Sequence, residues 1–327
     1  MSQLNLVLPG IIWPEIADYE YLIKQLDIPN LSKLCTKATL KQEIHCHSYS
    51  DFIYGNYDYS AGSLAQSYAQ KLNVYTEFSE FLMVEPTHLR ADRDRLLIAE
   101  AELLQLNTEE AEIIINAINQ HFNNELKLYL LEDDLWLLGT NLDLTDLVSY
   151  PIIDIVGENI DDFLPLGKSR LQLHKILNEI QMLLFNLPIN QQRQDDGLMQ
   201  ANSVWFWDKQ KPDLDTAAQL VIRSSQQINQ QLNEITQATA SETTLIIPYG
   251  YFAARYRDSF AWVQQINQLE QELAQKLVML LSKRKITQID IIIPGVESSW
   301  RLSLQSLELW KFWRKKSWLE LMESLQR

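Results

Sequence analysis

The chain has 327 residues, of which 46% are hydrophobic and 22% are charged, so it can bury one large core or two modest ones and is not disordered or collagen-like. Its formal net charge of −15, from 28 Lys and Arg against 43 Asp and Glu, argues against unspecific binding to nucleic-acid phosphates. Its nine glycines are too widely spaced for dinucleotide-binding loops, P-loops or the nucleophile elbow of α/β-hydrolases.

Short apolar runs alternate with longer segments of helical periodicity, which is typical of an α/β protein. We predict strands over 4–8, 81–85, 127–131, 134–138, 203–207, 243–247 and 288–293. We predict helices over 14–27, 61–72, 108–122, 169–186, 214–236 and 255–284. Thr108 can cap the third of these helices, and the acidic turn at 132–134 predicts a β-hairpin.

Residues 139–168 lose this periodicity and contain three glycines and two prolines. We therefore expect one domain over 1–327, with the edge of a subdomain in this stretch. Two cysteines are too few for a disulfide framework, and the first twenty residues contain no Lys or Arg, unlike a signal peptide. No apolar run approaches the roughly 18 residues that span a bilayer, so we expect a cytoplasmic protein without a transmembrane segment.

A first candidate site is the segment 43–47. A strand would place Glu43, His45 and His47 on one face, and two histidines with a carboxylate are a known metal-binding set. At about 3.3 Å per residue, however, Glu43 and His47 are roughly 13 Å apart on a straight strand. The pattern fits either a metal site that uses His45 and His47 or, as we favour, a half-exposed strand with two ordinary histidines.

A second candidate site is a cluster of cations in an otherwise acidic chain. It contains His88, Arg90, Arg93 and Arg95 within eight residues. Guanidinium groups suit phosphate or carboxylate ligands, but the aspartates that alternate with these arginines can neutralise them in a solvated network. The segment is either a loop of local ion pairs or a contributor to anion binding.

A third candidate site lies in residues 177–207. The pattern predicts a helix that stops at Pro188, a polar turn, and a strand that carries Trp205 and Trp207. The end of the helix and the start of the strand are neighbours in such a unit. Its polar residues then either converge on one pocket or only cap and turn the chain while the tryptophans fill the core: Asn178, Asn190, Arg193 and Asn202.

This third segment resembles the H-P-V-N-x-x-R…G…x-A-N-x-x-W-x-W stretch of archaeal-type cofactor-independent phosphoglycerate mutases. The matching residues are Leu187-Pro188-Ile189-Asn190-Gln191-Gln192-Arg193, Gly197 and Ala201-Asn202-Ser203-Val204-Trp205-Phe206-Trp207, with Leu187 in place of the family histidine. The chain is also similar, more closely, to RpfE-type regulatory proteins of bacteria. That likeness adds the segments 89–96 and 177–184, and the opening Leu8-Pro9-Gly10 with Trp13-Pro14.

The resemblance implies an alkaline-phosphatase-like core, with a central, mostly parallel sheet flanked by helices. In the mutases two metals held by Asp and His activate a Ser nucleophile. Here Pro9 follows the first strand where the family has Asp, and no histidine is preceded by Asp at one or four residues. The ligands of the dinuclear centre are therefore missing in their familiar form.

We accordingly expect a non-catalytic regulatory or anion-binding protein, a pseudoenzyme that needs no cofactor and has no metal site. Its small anionic or phosphorylated ligand would be held by residues of the second and third segments: His88, Arg90, Arg93, Arg95, Asn178, Asn190, Arg193 and Asn202. The alternative is a metal-dependent phosphomutase or phosphatase whose ligands include Glu43, His45 and His47.

The C-terminal segment suggests a protein partner. It is locally basic, and helical spacing places Trp310, Trp313, Leu321 and Leu325 on one face. This face either binds a membrane surface or an acidic partner or, as we favour, docks on the body of the protein.

Overall fold

The computed structural model describes residues 3–43, 47–92, 95–123, 125–212, 219–222, 224–237, 242–295, 298–310 and 317–325. They form two compact units, which we call unit 1 (within 1–56 and 213–327) and unit 2 (57–212). The stretch 139–168, where we expected a subdomain edge, lies inside unit 2. Two compact units can belong to one domain, so the single domain over 1–327 stays a prediction.

The strands are β1 (Gln3–Val7), β2 (Thr39–Gln42), β3 (Glu80–Thr87), β4 (Leu89–Asp92), β5 (Arg95–Ile98), β6 (Leu126–Glu132), β7 (Leu135–Thr140), β8 (Ser203–Trp207), β9 (Gln219–Val221), β10 (Glu242–Ile246), β11 (Gln288–Ile293) and β12 (Trp300–Gln305). The α-helices are α1 (Tyr19–Ile23), α2 (Pro29–Lys37), α3 (Tyr49–Tyr54), α4 (Leu64–Lys71), α5 (Thr108–Phe122), α6 (Ile152–Ile155), α7 (Arg170–Phe185), α8 (Pro188–Asp195), α9 (Ser225–Gln237), α10 (Tyr251–Arg255), α11 (Ser259–Leu269), α12 (Gln275–Ser282) and α13 (Trp318–Leu325). A π-helical turn over Glu270–Ala274 joins α11 to α12.

Unit 1 is built on a mixed sheet with the strand order β2-β12-β11-β1-β10-β9. Strands β9, β10, β1 and β11 run parallel, whereas β12 is antiparallel to both of its neighbours. Along β1, Leu4 and Leu6 enter the apolar core while Asn5 points to the other face, as the two-residue period of a strand requires. Helices flank this sheet, and the predicted α/β class is confirmed.

Unit 2 is built on a separate antiparallel sheet with the strand order β6-β7-β3-β8. Its apolar face packs against α5 and α7, whose buried residues include Ile114, Ile118, Leu177 and Ile180. Strands β4 and β5 form a two-stranded hairpin of their own. The described residues contain no helix long and apolar enough to cross a membrane.

Most predicted elements lie where the sequence places them, including the hairpin β6–β7 and helix α5. Several predictions are wrong. The helix expected over 14–27 is limited to α1 (Tyr19–Ile23), which follows a 3₁₀ turn over Ile16–Asp18. The helix expected over 214–236 is interrupted, because Leu220 and Val221 belong to the edge strand β9 beside β10 and α9 begins at Ser225, while 214–218 and 223 lie outside the described residues. The expected cap of α5 is Asn107 instead of Thr108, since the Asn107 side chain accepts the hydrogen bond from the Glu110 backbone N–H.

Candidate functional site

Three of the predicted site residues bond to one short stretch of backbone, residues 199–202, which leads into β8 and contains a fourth predicted residue, Asn202. Arg193 Nε donates to the Met199 carbonyl at 2.9 Å, and His88 Nδ1 lies 2.9 Å from the Gln200 carbonyl. Asn190 bonds to both the N–H and the carbonyl of Ala201, and Asn202 bonds to Leu89. These contacts are made with the protein's own main chain, and Asn178 takes no part in them.

The local fold explains how Asn190 and Arg193 reach this stretch. We predicted a polar turn after Pro188, and this is wrong, because α8 begins at Pro188. Proline is favoured in the first turn of a helix, where its missing N–H has no partner to lose. Asn190 and Arg193 are three residues apart on this helix and thus lie on one face, where they are 2% and 1% exposed.

The guanidinium of Arg193 is engaged by protein groups. Its Nη1 donates to both carboxylate oxygens of Glu110, at 2.6 and 2.7 Å, and its Nη2 donates to the Leu104 carbonyl. Glu110 also accepts from the Asn107 backbone N–H at 3.2 Å and so completes the capping box of α5. Arg193 thus links α8, α5 and the 199–202 stretch, and its charge is already balanced.

The amides of Asn190 and Asn202 are likewise used by the main chain. Asn190 Nδ2 donates to the carbonyls of Leu184 and Ala201, at 2.8 and 2.9 Å, and its Oδ1 accepts from the Ala201 N–H at 3.0 Å. Asn202 Oδ1 accepts from the Leu89 N–H at 2.7 Å, and its Nδ2 donates to the Leu89 carbonyl at 2.9 Å. Both side chains fix the positions of α8, β4 and β8 relative to one another.

Arg90 and Arg95 lie elsewhere, on the hairpin β4–β5. Arg95 is paired across the hairpin with Asp92, and Arg90 is two residues from Asp92 on the same strand. The three side chains therefore share one face, and all three residues are exposed. Within the described residues, neither arginine forms an ion pair. Arg93 lies outside the described residues.

The hairpin is fixed at both strands. Asn202 bonds to Leu89 at the start of β4, and Asn159 Oδ1 accepts from the Leu96 N–H of β5 at 3.3 Å. Asn159 is not among the predicted site residues, since nothing in the chain around it marks a long-range contact. These anchors present two guanidinium groups to solvent on a positioned scaffold.

His88 and Asn178 behave differently from each other. A carbonyl oxygen only accepts, so the contact with Gln200 requires that His88 Nδ1 carries a proton. His88 is half-buried between β3 and the hairpin. Asn178, in contrast, is exposed on α7 and shares no hydrogen bond with the other predicted site residues among the described parts of the chain.

The three residues considered as metal ligands, Glu43, His45 and His47, fall within the residue range of unit 1. The Glu43 carboxylate is paired with the guanidinium of Arg301, which also lies 3.9 Å from Asp290. His47 Nδ1 is 4.0 Å from an Asp51 oxygen, and His45 lies outside the described residues. Among the residues that are described, no three His, Cys, Asp or Glu side chains are grouped so that they could hold a metal ion.

The C-terminal helix is docked, as we favoured. Helix α13 buries its apolar residues in the core of unit 1: Trp318, Leu321, Met322 and Leu325. Trp310 belongs to a separate 3₁₀ turn over Ser306–Trp310 and is 72% exposed. The predicted common face of Trp310, Leu321 and Leu325 is therefore wrong, because the helix begins only at Trp318; Trp313 lies outside the described residues.

Comparison with known proteins gives partial matches. The chain is 30% identical over 105 residues to the 2,3-bisphosphoglycerate-independent phosphoglycerate mutase of Methanosarcina mazei, which is 31% of this chain and 26% of that protein. It is 37% identical over 57 residues to a probable enzyme of the same name from Geobacter sulfurreducens, covering 17% of this chain and 14% of that protein. The matched region thus spans about a quarter or less of these relatives.

Two solved structures align along most of the chain. A protein from Pyrococcus horikoshii gives a TM-score of 0.43 at 12% identity, over 93% of this chain and 87% of that one. The cofactor-independent phosphoglycerate mutase of Thermoplasma acidophilum gives a TM-score of 0.36 at 13% identity, over 93% and 89%. No protein-family model matches the chain. The chain is therefore weakly homologous, over about a third of its length, to cofactor-independent phosphoglycerate mutases.

Proposed function

We propose that this protein is a non-catalytic relative of phosphoglycerate mutase that binds a small phosphorylated or carboxylate ligand through the hairpin β4–β5. The observation that carries the proposal is the pair of exposed arginines on one face of this hairpin. Guanidinium groups bind phosphate and carboxylate oxygens through paired, charge-assisted hydrogen bonds. Asp92 between them offsets only one of the two positive charges.

Four of the remaining predicted residues act in this proposal as the scaffold of the site: His88, Asn190, Arg193 and Asn202. Asn202 positions β4, Asn190 and Arg193 position the 199–202 stretch, and His88 adds an imidazole at the base of the hairpin. In this proposal the anion is bound by protein groups, without a metal ion or a cofactor. The likeness to RpfE-type regulatory proteins and an alkaline-phosphatase-like core belong to the same proposal, as does a regulatory use of the bound ligand.

The double variant R90A/R95A tests the proposal. We expect it to weaken binding of 3-phosphoglycerate roughly 10- to 100-fold, since a hydrogen bond to a charged group contributes about 1.5–3 kcal/mol. Isothermal titration calorimetry in the presence of EDTA measures the affinity. The matched control is K168A/K175A, which removes two exposed cations of unit 2 far along the chain from the hairpin.

The control also separates specific binding from general attraction of an anion to positive charge. The proposal requires that K168A/K175A bind 3-phosphoglycerate as tightly as the unaltered protein. Equal affinity of all three proteins for this ligand would contradict the assigned site.

A further inference from the structure

The proposed site does not use the carboxyl group of Glu85, which contacts residues 149–163 next to the hairpin. Glu85 is on β3, and its Oε1 accepts a hydrogen bond from the Ile152 N–H at 3.3 Å. Burial raises the pKa of Glu85 to about 8, and the negative charges of Asp134 and Asp154 act in the same direction. Hydrogen bonds from Ile152 and Trp207 oppose this shift without cancelling it. Glu85 therefore holds its proton at neutral pH.

Residues 149–163, which we call the covering segment, are attached to the sheet around this carboxyl. Trp205 Nε1 donates to the Tyr150 carbonyl at 2.8 Å, and the Asp208 N–H donates to Ser149 Oγ at 3.1 Å. Ile152 is fully buried, and Asp154 is only 4% exposed. Glu85 itself is half-buried, and ionisation would place its charge under the influence of the buried Asp154, which is unfavourable unless the segment moves.

The covering segment also supports the arginine hairpin. Asn159 forms a β-bridge with Leu97 on β5, and its Oδ1 accepts from the Leu96 N–H. The 3₁₀ turn Ile160–Asp162, within the same segment, packs against β5. Displacement of the segment would therefore remove one of the two anchors of the hairpin.

We propose that Glu85 is a proton-dependent latch, which keeps the covering segment closed and the hairpin ready to bind an anion while the carboxyl is protonated. The part of this inference that concerns anion binding by the hairpin rests on the proposed function. The charged groups that act on the latch are Asp134, in the turn before β7, and Asp154 on α6. Release of the proton adds a third negative charge and opens the segment.

The direction in which pH shifts the balance between the closed and the open segment follows from proton linkage. The closed state keeps the proton up to about pH 8, whereas an opened, solvated Glu85 releases it near its ordinary pKa of about 4.3. Between these values the closed state binds one more proton than the open state. Rising pH then favours opening by up to about tenfold per pH unit, and the effect levels off above about pH 8.

Hydrogen exchange of the amides of residues 152–163 between pH 5 and 8.5 tests the latch without any ligand. After correction for the intrinsic pH dependence of exchange, the unaltered protein is expected to lose protection by up to about tenfold per pH unit. E85Q keeps the acceptor for the Ile152 N–H but cannot ionise, so its protection should not depend on pH. E80Q is the matched control on the same strand and should behave like the unaltered protein. Constant protection in the unaltered protein, or an unchanged slope in E85Q, would overturn the latch.

Calorimetric titration with 3-phosphoglycerate at pH 6 and 8.5 tests the coupling to the hairpin. The affinity ratio of the unaltered protein to E85Q removes the ionisation of the ligand itself, and we expect this ratio to be lower at pH 8.5 than at pH 6, by up to about a hundredfold. A constant ratio would overturn the coupling. Absence of binding at both pH values, with exchange as expected, would contradict the proposed function while leaving the latch supported.

Discussion

Replacement of Arg193 by Ala is expected to destabilise the protein by about 3–5 kcal/mol. The guanidinium is 1% exposed and satisfies both oxygens of Glu110 and the carbonyls of Leu104 and Met199. Its loss leaves a partly buried carboxylate and two carbonyls without their donor, together with a cavity. Urea unfolding at pH 7 measures the change in the free energy of unfolding.

The matched control for this variant is R90A, which removes an exposed guanidinium and should change stability by less than about 0.5 kcal/mol. A double-mutant cycle of Arg193 and Glu110 should give a coupling energy of at least about 1 kcal/mol, because the two side chains contact each other. If R193A unfolds like the unaltered protein but loses affinity for 3-phosphoglycerate, then Arg193 is a ligand-binding residue and its assignment to the scaffold is wrong.

Replacement of Leu321 by Ala is expected to destabilise the protein by about 2–5 kcal/mol, the usual cost of removing a buried leucine side chain. Leu321 is 1% exposed and belongs to the core of unit 1 together with Trp318 and Met322. Helix α13 is thus part of the core and is not available as a free docking face. Thermal and urea unfolding both report this change.

W310A is the control in the same part of the chain. Trp310 is 72% exposed, so its replacement should alter stability by less than about 0.5 kcal/mol. Equal stability of L321A and the unaltered protein would show that α13 does not contribute to the core. A large loss of stability in W310A would contradict the exposure of this tryptophan.

Periodicity is sufficient to predict some long elements of the fold, such as α5 and α7, but not others, such as the helix expected over 14–27. Helix α5 and the hairpin β6–β7 were predictable because a cap, a regular apolar stripe and a charged turn all agree locally. Short elements such as β9 were not, because three residues gain their strand conformation only from the neighbouring β10. The existence of a second, antiparallel sheet also depends on long-range pairings that no local pattern specifies.

The sequence was sufficient to predict which residues lie near one another at the candidate site, but not which groups each of them contacts. The sequence could place Asn190, Arg193 and Asn202 near one another, since a helix end and the following strand start are neighbours. It could not show that their partners are main-chain groups of residues 199–202 and Leu89. The partner of Arg193, Glu110, is 83 residues away in the chain, a separation that no local pattern bridges.

The most direct test of the account is calorimetric titration of the EDTA-treated protein with 3-phosphoglycerate, repeated after addition of Mn²⁺. The account predicts saturable binding in EDTA, unchanged by Mn²⁺ and weakened in R90A/R95A. Binding that occurs only with Mn²⁺ and is insensitive to R90A/R95A would contradict it and would favour a metal-dependent phosphomutase or phosphatase.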